Sequence, residues 1–170
     1  LMSLTFAIKP GGDKEAAKTM GVTKVEVVKV PTKGTLTLAD KDVPANAGSI
    51  NFDWNNTADL ALKAKTDATS TKQKGLEPDF TAYDETHATK ACWVKDKEVN
   101  IGQGIMIPVP DYDNNPDYKY QLKITLINKD GQTFEPEYPM DLNTNGNEFA
   151  AGTSYKVTMT INGPKEIQLN

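Results

Sequence analysis

Alternation of apolar and polar residues at a period of two recurs along this chain and leaves little room for any fold but a β fold. Near the C-terminus Tyr155, Val157, Met159 and Ile161 fall on one face while Lys156, Thr158 and Thr160 fall on the other, the pattern of a half-buried strand. Asn162, Gly163 and Pro164 interrupt it, and Ile167 and Leu169 resume it. Residues 118–128 repeat the pattern, with Tyr118, Tyr120, Leu122, Ile124 and Leu126 on one face. Asp130-Gly131 follows, a dipeptide suited to the positive backbone angles of a tight hairpin.

Shorter stretches behave alike. Leu4, Phe6 and Ile8 alternate with Ser3, Thr5 and Ala7, and Val25 and Val27 with Lys24 and Glu26. The parity slips at Val28, which predicts a bulge. Leu36 and Leu38 form a further set, Ile50, Phe52 and Trp54 an inward-facing one, and Leu60, Leu62 and Ala64 the next. Residues 91–94, 105–109 and 132–140 complete the series. Helix has little place: Asp13 is suited to cap a turn over 14–20, stopped by Gly21. Residues 65–75 and 76–89 read as surface loops. About ten short strands without crossover helices predict an all-β, antiparallel two-sheet sandwich occupying 1–170 as one domain.

Composition narrows the function. The chain has 170 residues, 38% hydrophobic and 25% charged, enough for a sizeable core. No apolar run approaches the roughly 20 residues of a membrane-spanning helix, so a soluble domain is expected. All 19 basic residues are lysine. Arginine is the preferred bidentate partner of phosphate and carboxylate, and its absence, with a net charge of −4, argues against a nucleic-acid partner or an anionic-cofactor clamp. The charge is uneven, +3 over 1–75 and −7 over 76–170, a patchy solvated surface in the plainest reading. Cys92 is the single cysteine and forms no internal disulfide.

Catalytic chemistry finds no foothold, and neither an enzyme nor a cofactor is expected. His87 is the single histidine, five residues before Cys92, and no serine stands in a nucleophile-elbow setting. Asp84 with Glu85 is the other crowded carboxylate pair. Asp111, Asp113, Asn114 and Asp117 crowd one segment in a way that suits a hard cation such as calcium. They lack the central Gly and distal Glu of the helix-loop-helix calcium loop, and the same residues are the preferred turn formers. Asn55-Asn56-Thr57 matches a glycosylation sequon. Trp54 and Trp93 form a sugar-binding platform if exposed, although their alternation with apolar neighbours favours the core.

The run from Phe149 to Ile161, in which Gly152 and Tyr155 open a Thr-rich strand, together with the short apolar strand ending at Leu169, resembles the closing segment of the fimbrillin family of Bacteroidia cell-surface proteins. Gly104-Ile-Met-Ile-Pro-Val-Pro110 is similar to the family's apolar strand ending at Pro, and residues 1–10 to the strand that opens its second domain. The resemblance implies a transthyretin-like Greek-key sandwich from a fimbrial subunit or related adhesin at the outer membrane. It also implies a lipoprotein precursor, processing by an arginine-specific protease, and assembly by β-strand exchange. The chain lacks a lipobox cysteine, a preceding sandwich and any arginine. It therefore reads as the C-terminal domain of a two-domain precursor, attached to the membrane only through a segment it does not contain. Other fimbrial subunits are the implied partners, with a host or bacterial surface protein or a glycan as the implied target. Ile167 and Leu169 fill a neighbour's pockets if the tail is donated, with Val157, Met159 and Ile161 guiding it or staying in the parent core. If the tail is kept, it completes its own sandwich.

Overall fold

The computed structural model describes residues 1–39, 42, 48–62, 81–82, 90–108, 120–139, 149, 151–163 and 166–169. The elements in chain order are β1 (Met2–Pro10), α1 (Lys14–Lys18), β2 (Met20–Pro31), β3 (Gly34–Thr37), β4 (Ser49–Phe52), β5 (Thr57–Leu62), β6 (Thr81–Ala82) and β7 (Lys90–Trp93). They continue with β8 (Val99–Met106), β9 (Gln121–Asn128), β10 (Thr133–Phe134), β11 (Glu137–Pro139), β12 (Ser154–Gly163) and β13 (Glu166–Leu169). One sheet runs β13-β12-β1-β8; a second runs β10-β9-β2-β7-β6, with β11 also on β9 and β5 on β2. The inward residues of both sheets meet in one core containing Leu4, Phe6, Ile8, Met159 and Ile161 from the first and Val25, Val27, Leu122, Ile124 and Leu126 from the second. This is the predicted all-β sandwich.

One ladder departs from the antiparallel expectation. β1 pairs with β12 in parallel, Phe6 opposite Val157 and Ile8 opposite Met159. A parallel pair needs a long connection, usually a helix. Here nearly the whole domain is that connection, so no crossover helix is required.

The bulge expected at Val28 is present. The β2–β5 register shifts between Val27 and Val30, and Lys29 takes a positive φ of 59°, uncommon for a residue with a side chain. Its N–H, turned out of the ladder, is accepted by Asp59 Oδ1 at 3.2 Å. The Asp130-Gly131 turn also forms: Gly131 has φ 81° and Asn128 N–H donates to the Gln132 carbonyl at 3.0 Å. Residues 132–140 divide into β10 and β11, both on β9, and residues 76–89, read as loop, contain the two-residue β6.

The helix is shorter than its cap suggested. Asp13 Oδ1 accepts from Ala16 N–H at 3.0 Å, and Ala17 is buried in the core. Met20 and Gly21 already belong to β2. Gly21 is thus no helix stop: a Cβ there would stand 2.7 Å from Ala91 Cβ and 2.9 Å from Trp93 Cε3, closer than real contacts allow. Lys18 bonds Asp96 at 2.7 Å and Glu15 at 2.9 Å. Hydrogen bonding to Asp96 first, and to Glu15, holds the Lys18 ammonium above its ordinary range. Asp13→Ala should cost about 1 kcal/mol through the lost cap, read as a lower urea midpoint with unchanged slope.

The hairpin of β3 and β4 corrects a second expectation. Leu36 and Ile50 are cross-strand partners, yet both are exposed, as is Leu38. Ile50 is not an inward residue, because among the described residues β3 and β4 form a sheet of their own that pairs with no other strand. Phe52 is half-buried.

Candidate functional site

The terminal strands converge on one edge of the first sheet. β12 keeps the alternation read from its sequence: Met159 and Ile161 are fully buried, and Val157 and Tyr155 are half-buried against the core. The opposite face is less exposed than threonine suggests, with Thr158 and Thr160 also buried. β12 lies between β1 and β13, so Thr160 stands between Lys9 and Gln168, and Thr158 lies beside Ala7. Beside them Glu98 receives the Lys156 ammonium and lies 3.5 Å from the Thr158 hydroxyl.

Both ends of the β1–β12 ladder are closed by the backbone. Gly152 N–H donates to the Leu1 carbonyl at 2.8 Å and Ser3 N–H to Thr153 at 3.0 Å. At the far end Gly11 N–H donates to Ile161 at 2.9 Å and Gly12 N–H to Asn162 Oδ1 at 3.3 Å. Gly152, with φ 74°, occupies a backbone region that favours glycine.

β13 returns antiparallel along β12, with Ile167 opposite Ile161, Gln168 opposite Thr160 and Leu169 opposite Met159. Ile167 is only 6% exposed and joins the core, while Leu169 packs partly against it and Gln168 faces solvent. All five residues singled out from the sequence, Val157, Met159, Ile161, Ile167 and Leu169, therefore lie together in this sheet. They contact the chain's own core. The register shift between Ile161 and Gly163 marks where β12 bends into the tail.

Four aromatic rings link this edge to the rest of the core. Phe149 meets Tyr155 edge-on at 5.2 Å and Tyr120 at 6.5 Å, and Tyr120 meets Trp54 at 6.0 Å. The Tyr120 hydroxyl donates to the Ile107 carbonyl at 3.1 Å, and burial pushes its phenol well above the ordinary tyrosine range. Trp54 is thus half-buried against Tyr120, and Trp93 is 7% exposed beside Ala91 and Ile127. Neither indole forms an open sugar platform. Cys92 is fully buried, out of reach of solvent-borne reactants. The Asp111, Asp113, Asn114 and Asp117 cluster, His87, and Asp84 with Glu85 lie outside the described residues.

Two features escaped the sequence reading. Asn100 Oδ1 is buried without a hydrogen-bond partner, which a strand pattern does not reveal. The second is β8, among the described residues an edge strand, eight residues long with no charged side chain. Its lack of charge was legible; its place at the edge was not.

No family model matches the chain, and no curated protein matches it. A crystal structure of a proposed cell adhesion protein from Bacteroides uniformis is similar to it, with 16% identity and a TM-score of 0.49, covering 100% of this chain and 49% of that chain. The chain therefore spans about half the length of that protein.

Proposed function

We propose that this domain is a structural or adhesive subunit of a bacterial cell-surface fimbria, and that it assembles by exchange of β13. One observation carries the reading. β13 is a four-residue edge strand held by a single ladder to β12, and its Ile167 nevertheless occupies a core position opposite Ile161. Such a strand contributes hydrogen bonds and one apolar plug. Its departure uncovers an edge and a pocket that the same strand of another copy fits. The motif resemblance of 149–161 and 165–169 to fimbrillins supports the same reading, with other subunits as partners and the bacterial outer surface as the location.

The test uses the full-length precursor carrying Ile167→Asp and Leu169→Asp. Wild type is expected to give SDS-resistant ladders, and the variant folded monomers without ladders. Ladders that persist in the variant would remove the tail from assembly. A variant that unfolds would assign β13 to its own core alone.

A further inference from the structure

The opposite border of the same sheet carries a second inference, independent of the tail. β8 pairs with β1 on one side, and among the described residues no strand pairs with its other side. An open edge offers a row of outward N–H and C=O groups to any extended chain. Proteins guard such edges with charge, proline, bulges or shortness. The other edge strands among the described residues are guarded in that way. β6 has two residues, β10 two and β11 three ending in Pro139. β13 and the hairpin strands β3 and β4 have four, and β5 carries Asp59. β8 has eight residues, Val-Asn-Ile-Gly-Gln-Gly-Ile-Met, with neither charge nor proline. Its register shift opposite Phe6 and Ala7 blunts only the first half; from Gly102 to Met106 the pairing with Phe6 to Met2 is regular.

We propose that β8 is a docking edge for a second copy of this chain, the two β8 strands pairing antiparallel about a two-fold axis near Gly104 and continuing the four-stranded sheet across both copies. The absence of charge selects this occupant. A strand meeting its own copy sets each charge near its twin, and like charges oppose such pairing; β8 has none to oppose it. It also offers no charge by which a foreign strand would be chosen. Pairing about Gly104 sets Gln103 opposite the second copy's Ile105 on the outer face, with the two Ile105 side chains diagonal across the axis. Ile105 is 66% exposed in the single chain, and this arrangement covers it. Gly102 and Gly104 present no side chain to hold the backbones apart.

Sedimentation velocity of the chain from low micromolar to sub-millimolar concentration tests the proposal, alongside Ile105→Lys, Leu38→Lys and the Ile167→Asp, Leu169→Asp double variant. Wild type is expected to dimerise with concentration, and the amides of 102–106 to exchange more slowly in the dimer. Ile105→Lys adds an edge charge beside its twin and should weaken dimerisation about tenfold or more, while its exposed site leaves the fold intact. Leu38→Lys and the tail variant should still dimerise. A monomer at every concentration, or a dimer abolished by Leu38→Lys but not by Ile105→Lys, would overturn the proposal. Loss of dimer in the tail variant, if it stays folded, would do the same by moving the contact to β13.

Discussion

Replacing Phe6 by alanine is expected to cost about 3–5 kcal/mol. The side chain is fully buried on β1, a strand flanked by β12 and β8, so neighbours on both sides hold the cavity open. A domain of this size has roughly 5–15 kcal/mol of stability in all, and the variant should unfold at a much lower urea concentration with a similar slope. Leu36→Ala is the matched control. Leu36 sits in an alternating strand of the same kind but is 53% exposed, and its loss should stay within about 0.5 kcal/mol. Equal losses in the two variants would mean that the sheets do not enclose the core between β1 and β9.

The second large effect is alkaline. Burial raises the Tyr120 phenol above its unfolded value near 10, because the ionised form is disfavoured inside the core. The folded state therefore keeps a proton that the unfolded chain gives up. The stabilisation is complete below about pH 10 and declines as pH rises further, by about 1.4 kcal/mol per pH unit until the folded phenol itself ionises. Tyr120→Phe removes this dependence. It also loses the hydrogen bond to Ile107 and should start about 1 kcal/mol less stable at neutral pH. The remaining lysines and tyrosines titrate in both proteins, so the difference between their stability curves isolates Tyr120. Curves that stay parallel from pH 9 upward would show the phenol to be solvated.

Much of the fold was legible because alternation is local. Leu4, Phe6 and Ile8, or Tyr120, Leu122, Ile124 and Leu126, need only a period of two to share a face, and all are buried. The bulge at Lys29 and the Gly131 turn were legible for a similar reason, since a parity slip and a dipeptide with special backbone angles are local signals. The same alternation misled at Leu36, Leu38 and Ile50. A period of two says which side chains share a face; it does not say that a second layer covers that face.

The candidate site divides along the same line. Val157, Met159, Ile161, Ile167 and Leu169 were readable as one apolar set, and they do lie in one sheet. That β12 runs parallel to β1 was not readable, because it depends on where the chain returns after the whole domain has intervened. Gly21 shows the limit at a single residue. Beside a short helix it reads as a stop signal, whereas its place against Ala91 and Trp93 exists only once β2 and β7 are paired.

The order of apolar and polar residues thus established most of the strands, which side chains share a face and the charge-free character of β8. Pairing established which strands are edges, which alternating faces are covered, and that the first strand lies beside the penultimate one. The physical reason is range: side-chain direction is set by a residue's own backbone, while edge and burial are set by partners far away in the chain.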